Sequence, residues 1–350
     1  MILVEKLVRC PSVSGEEAAA AALLLEEMSK RGFRVYQDEV GNAIGVIGNG
    51  GFAVYLVGHI DTVSGKIPVR LEDGRLYGRG SVDAKGALAA FVEAASKFLD
   101  SQALTISVVG CVREETDSAG AMHLMTTLEP PDCTVIGEPS GWDGITLGYK
   151  GSLTMDYKLK VPRFHHGAQQ RTAAEETVVF YDALRGAYPD RGSQFGTLSI
   201  RLTDFNTSLL GTHEVAKMRI NVRTPLGFDF DEYKATVADL SGKASISVNG
   251  FIPGVVSNKR NPLVRSFLGA VRSQDGTPSF KYKTGTSDMN HLVSNQGRYP
   301  GWGCPIVAYG PGDSSLDHTP VEHLNIEEYE KSIAVLVKML ERLERQAKDG

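Results

Sequence analysis

Five places along the chain put histidine or carboxylate side chains where an apolar run ends, and such a set can do metal-assisted hydrolysis. The first is Gly58-His59-Ile60-Asp61, directly after the run 53–57. In extended backbone a His-x-Asp pair points to one face. The carboxylate can then accept the ring's free N–H, fixing the tautomer that offers the other nitrogen to a metal. The second is Ser81-Val82-Asp83-Ala84-Lys85, where Asp83 precedes a helix start and could equally serve as its N-cap. In the third, Arg113-Glu114-Glu115-Thr116, two adjacent acids follow the run 105–112. At the end of a buried strand they are costly unless a cation sits nearby; the alternative is a solvated turn. The fourth is Gly137-Glu138-Pro139, and the fifth is the loop Gly312-Asp313-Ser314-Ser315-Leu316-Asp317-His318. Two histidines and several carboxylates without cysteine suit zinc or a similar divalent ion in a catalytic rather than a structural site.

The elements that must position these groups alternate in kind over the first 150 residues. Ser14-Gly15-Glu16-Glu17 reads as a capping box opening a helix over 16–31. Strands are expected at 33–36, 43–47, 53–57, 105–109 and 133–136, with helices at 86–99 and 119–128. Strands alternating with helices indicate an α/β layer with a mostly parallel central sheet. After Lys150-Gly151 the order becomes β-α-β-β-α-β: 152–161, 172–188, 196–201, 214–223, 229–240 and 244–248. That is the order of a ferredoxin-like split βαβ unit. From 262 the α/β character returns, with a Gly/Thr/Ser loop at 283–288, a strand at 305–310 and a closing helix from 325. The expected organisation is one domain built from 1–150 and 259–350, with an α+β domain inserted at 151–258. The 350 residues agree, since single cores stop growing near ~250–300 residues.

Composition narrows the functions. A net charge of −5 argues against a general nucleic-acid binder. No run approaches the ~20 apolar residues that span a bilayer, and the N-terminus lacks the pattern of a signal peptide, so a cytoplasmic location is expected. The cysteines Cys10, Cys111, Cys133 and Cys304 are scattered, which suits reduced thiols. Gly78-Arg79-Gly80-Ser81-Val82-Asp83 mimics a dinucleotide fingerprint but ends in Asp rather than Gly. No Gly-x-Ser-x-Gly elbow exists, which removes the commonest serine-hydrolase reading of an α/β chain.

In this order the motifs resemble the co-catalytic zinc aminoacylase and carboxypeptidase family that includes acetylornithine deacetylase, succinyl-diaminopimelate desuccinylase and glutamate carboxypeptidase. The likeness runs from Pro11-Ser12-Val13-Ser14-Gly15 to His318. Within the family, Gly137-Glu138-Pro139-Ser140-Gly141-Trp142, Leu147-Gly148-Tyr149-Lys150-Gly151, Lys283-Thr284-Gly285-Thr286-Ser287-Asp288-Met289-Asn290 and Tyr309-Gly310-Pro311-Gly312-Asp313 are similar to the hydrolases of the carrier-protein route of lysine biosynthesis. Those free lysine, or ornithine in some members, from a glutamate γ-carboxyl that ends a small acidic carrier protein.

The resemblance implies a zinc-peptidase-like catalytic domain, an inserted dimerisation domain and a homodimer. It also implies two divalent ions, zinc foremost and cobalt as an alternative. His59 and Glu138 would hold one ion, Glu115 and His318 the other, and Asp83 would bridge them, with a cis Asp83–Ala84 bond. Asp61 would steady His59, and Glu114 would be the general base. His165, or its neighbour His166, would donate to the oxyanion from the partner subunit. Gly285, Thr286 and Ser287, with Arg223 as a weaker candidate, would hold substrate. An acidic carrier would call for local positive charge, for which Lys158, Lys160, Arg163 and Arg171 are available. Two rivals remain: an acetylornithine or N-acetyl-lysine deacetylase or dipeptidase of the same family, and a metal-dead scaffold, which the retained Asp61 and Glu114 oppose.

Overall fold

Runs rich in Val, Ile and Leu become the buried strands of a mixed sheet. Neighbouring strands follow the order Arg34–Gln37, Ala43–Gly48, Leu104–Cys111, Phe52–His59, Cys133–Gly137, Ile306–Tyr309 and Gly144–Tyr149. The four from Leu104–Cys111 to Ile306–Tyr309 are mutually parallel, so their carboxyl ends share one edge. In open α/β sheets that edge is where ligands bind. The computed structural model describes residues 1–165, 167, 169–189, 192–293 and 301–349. It divides into one unit of Met1–Gly148, Ser257–Tyr282 and Ser287–Gly350, and a second of Tyr149–Val256 with Lys283–Thr286.

A row of glycines crosses the carboxyl edge of the first unit's sheet. Gly58 stands in register with Gly110 on one side and Gly137 on the other, and Gly310 follows the next strand. Across the row lies the helix Lys85–Ala95, which is rich in alanine and almost wholly buried. A Cβ at Gly137 would come within 2.9 Å of Phe91 and 3.1 Å of the Gly58 Cα, and one at Gly310 within 2.6 Å of Ala87. The missing side chains let this helix, with Asp83 just ahead of it, sit directly on the strand ends. Gly137→Ala should therefore cost about 1–3 kcal/mol by overpacking. A lower urea midpoint at unchanged m-value would register it; an unchanged midpoint would show that the helix contact is slack.

The second unit has the expected β-α-β-β-α-β order. Its antiparallel sheet runs Ser199–Leu210, His213–Thr224, Gly151–Pro162 and Ser245–Ile252. Leu153, Met155, Tyr157, Met218 and Ile220 alternate inward against Phe180 and Leu184 of the helix Ala173–Ala187 and Tyr233 and Val237 of the helix Phe230–Ser241. The opposite sheet face is polar. There Lys158 pairs in register with Lys217, and Lys160 follows on the same face.

Local rules give way to distant contacts in two places. The expected capping box does not form: the helix begins at Ala18 with no side-chain cap. Ser14 Oγ donates instead to Asp61 Oδ2 at 2.6 Å, and the Glu17 carboxylate accepts the N–H groups of Gly15 and Arg113. The helix Leu3–Arg9, the strands Gly144–Tyr149 and Ser279–Lys283 and the short helix Asp288–Val293 also go beyond the sequence expectation. Leu3, Val4, Leu7 and Val8 carried a helical signal for the first of these. Among the described residues, no helix is long and apolar enough to cross a membrane.

Candidate metal centre

His59 is the last residue of its strand, and its ring is buried. Nδ1 lies 3.0 Å from the Asp61 carbonyl oxygen and 3.5 Å from Asp61 Oδ1, so the nearer orienting partner is the backbone rather than the expected carboxylate. That carboxylate has a further task. Its oxygens accept the backbone N–H groups of Glu114 and Glu115, each at 3.1 Å, besides the Ser14 hydroxyl. Asp61 thus ties the acidic turn to the end of the His59 strand. These partners are 53, 54 and 47 residues away, and no local pattern signals them.

The helix cap alternative for Asp83 does not hold. The cap position is Ala84, with no side-chain cap, and the Asp83–Ala84 bond is cis, as the resemblance implies. Asp83 instead presents one carboxylate oxygen to each histidine: Oδ1 is 3.3 Å from His59 Nε2 and Oδ2 is 3.0 Å from His318 Nε2. His318 Nε2 is also 3.1 Å from Glu115 Oε1. His59, Asp83 and Glu115 offer ligand atoms within 4.8 Å of one another, a group that could hold a metal ion. Glu138, buried just past Cys133–Gly137, is close enough to act electrostatically on Glu114.

The charges are strongly coupled. Burial opposes charge on His59, but the carboxylates of Asp61 and Asp83 and the nearby Glu114 prevail, holding its pKa well above the usual value. Hydrogen bonds to Asp83 and Glu115 push His318 up to about 10. Burial alone would raise Asp83; the two imidazoles hold it well below the usual carboxylate range. Glu114 goes the other way, lifted by burial and by the carboxylates of Glu138, Asp288 and Glu115. Burial also pushes the inward Asp288 up to about 7. Asp61, Asp83, Glu114, Glu115 and Asp288 thus act on two imidazoles, and Glu138 acts on Glu114. So many acids away from water are costly without a cation. The donors are carboxylate oxygens and imidazole nitrogens, which suit a divalent ion.

Comparison with known proteins bears on the same conclusion. Residues 55–342 match the description Peptidase family M20/M25/M40. The chain belongs to the M20 family. It is 40% identical over 354 residues to the LysW-lysine hydrolase of Deinococcus radiodurans, covering 97% of this chain and 96% of the relative. It is 27% identical to the LysW-lysine/LysW-ornithine hydrolase of Saccharolobus islandicus, over 85% of this chain and 83% of the relative. Its fold is that of M20 structures: an M20 metallo-carboxypeptidase of Sulfolobus solfataricus superposes with a TM-score of 0.78 at 18% identity, over 98% of each chain.

The other candidates of this M20 chain lie outside the cluster. Arg223 Nη1 donates to Thr286 Oγ1 at 3.1 Å. Arg223 and Gly285 line a cleft of about 1050 Å³ within the second unit, beside Arg185 and Arg201. Ser287 is buried, and its hydroxyl accepts the Met289 N–H at the start of the helix Asp288–Val293. His165 is exposed, with Nδ1 accepting the Gly167 N–H; a neutral ring therefore carries its proton on Nε2 and can donate it. His166 lies outside the described residues.

Proposed function

We propose that this M20 hydrolase cleaves the amide joining lysine, or ornithine, to the terminal glutamate γ-carboxyl of a small acidic carrier protein. The likeness to LysW-lysine hydrolase along 97% of the chain carries this reading. The donor set supports the chemistry. His59 and Glu138 would hold one divalent ion, Glu115 and His318 the other, and Asp83 both, its two oxygens already facing one histidine each. Zinc is the ion these donors suit, with cobalt an alternative. When bound, such ions polarise an amide carbonyl and acidify water.

The chain's own groups do the rest. Glu114, which lies beside Glu115 and need not ligate, takes the proton of the attacking water and delivers it to the departing amine. Asp61 holds the turn that aims it. His165 Nε2–H, contributed by a partner copy in a homodimer, stabilises the oxyanion. Arg223 with Gly285 and Thr286 receives a substrate carboxylate. In this reading 1–150 with 259–350 is the catalytic domain, 151–258 is the dimerisation domain, and the enzyme works in the cytoplasm.

Turnover of carrier-linked lysine against N-acetylornithine and N-acetyl-lysine tests the substrate. Faster turnover of either acetylated amino acid would put the deacetylase reading ahead. The carrier body is tested through the basic sheet face. Arg171 is drawn toward Glu176 at 3.8 Å, and Arg163 is exposed, while Lys158 and Lys160 share their face with Lys217. Like charges side by side repel, and an acidic partner lying over them would offset that. Reversing Lys158 and Lys160 to Glu should lower kcat/KM for the carrier-linked substrate about tenfold at low salt, a gap that closes as salt rises. N-acetyl-lysine turnover should not change. Equal losses on both substrates would remove the carrier from this face.

A further inference from the structure

Four residues beyond His318, one fully buried carboxylate holds the backbone of the Asp83 loop. Glu322 Oε1 accepts the N–H of Val82 at 2.9 Å and that of Asp83 itself at 3.2 Å. Its Oε2 accepts Arg79 Nη1 at 2.8 Å, and Arg79 Nε reaches back to the Gly65 carbonyl. The adjoining strand His323–Asn325 pairs with Arg75–Tyr77, His323 opposite Tyr77, so both ends of the 78–83 loop are fastened to the 322–325 segment. Within the loop, Gly80 takes a φ of +81°, and a Cβ there would meet Thr62 at 2.6 Å. The loop can wrap this closely only as it is built.

We propose that Glu322 is a positioning residue that fixes Asp83 and His318 relative to each other, so that the carboxylate both ions would share has one location. This rests on Asp83 serving as a metal ligand, part of the function proposed above, and is independent of the substrate. A carboxylate accepting the successive N–H groups of Val82 and Asp83 fixes the peptide plane from which the Asp83 side chain departs. Losing it frees Asp83 to turn away from one of the histidines. Partners of this kind, one step behind the ligands, typically alter metal affinity ~10–100-fold when removed.

The test is calorimetric titration of metal-free protein with cobalt(II) and with zinc(II), beside thermal unfolding of the metal-free forms. Glu322→Gln should weaken binding of both ions at least ~10-fold. The comparison is Glu27→Gln, another buried carboxylate of the same unit, held by Lys6 at 2.9 Å and Arg31 at 3.0 Å far along the chain from any ligand. It should lower the unfolding temperature and leave both affinities within about twofold of wild type. If Glu322→Gln does not fold, Arg79→Met removes only the cation on Oε2 and should weaken binding in the same direction by a smaller factor. Wild-type affinity in a folded Glu322→Gln or Arg79→Met protein would overturn the assignment while leaving the metal centre intact. An equal loss in Glu27→Gln would overturn it too, by tracing the effect to general loosening. Failure of the wild-type protein to bind either ion would sink the metal reading itself, and this inference with it.

Discussion

Glu114→Gln should abolish turnover while the protein keeps its full complement of metal. The substitution preserves shape and the backbone N–H that Asp61 holds, and it removes only the group that can accept and return a proton. General-base contributions are typically ~10²–10⁴-fold, and more is expected where one group also protonates the leaving amine. Glu115→Gln is the informative partner, because Glu115 faces His318 at 3.1 Å and belongs to the cluster of ligand atoms. It should lose one ion's occupancy, and its activity should recover in part with excess metal. Elemental analysis beside single-turnover kinetics separates the two variants. Metal loss in the Glu114 variant and retention in the Glu115 variant would exchange their roles.

Asp61→Asn should depress both quantities together. The Asp61 carboxylate accepts from Glu114, Glu115 and Ser14, and it stands 3.5 Å from His59. An amide offers one oxygen and turns an NH2 toward donors that are then left unsatisfied, at about 1–3 kcal/mol for each buried group. The acidic turn loses its anchor, so base and ligand both move. We expect kcat to fall by more than ~10²-fold and metal affinity by ~10–100-fold in a protein that still folds. A variant with wild-type metal affinity and reduced kcat would confine Asp61 to Glu114. A variant altered only in unfolding temperature would make it purely structural.

The contrast between Asp61 and Asp83 indicates what a single sequence conveys. The acids and histidines at strand ends were legible because apolar runs locate strands and the polar residue just past each run falls at the sheet edge. Asp83 was ambiguous, since an acid ahead of a helix is also an ordinary cap; only the two histidine rings facing its separate oxygens decide it. The second task of Asp61 was illegible because its partners arrive from elsewhere in the chain. Ser14 misled for the same reason: its hydroxyl obeys Asp61 across 47 residues rather than the helix four residues on. Short strands such as Arg70–Glu72 and Arg75–Tyr77 carry too few residues for a period to register. Glu322 left no trace, because an isolated Glu between Val321 and His323 has the pattern of a surface residue.

The glycine row sets the terms on which this enzyme can change over generations. A side chain added at Gly137 or Gly310 would press on Phe91 or Ala87 and move the Lys85–Ala95 helix off the strand ends, and one at Gly110 would press on Leu24 of the helix Ala18–Lys30. Such a displacement would alter the spacing of Asp83 from His59 and from Glu138 at once. Selection for hydrolysis therefore filters variation out of the row and out of the helix face lying on it. Divergence toward other amides must accumulate elsewhere, in surfaces such as the Arg185, Arg201 and Arg223 cleft or the lysine-bearing sheet face. In lineages descended from this chain, Gly110, Gly137 and Gly310 should be among the last positions to drift, and the lysines should change only where the partner changes with them.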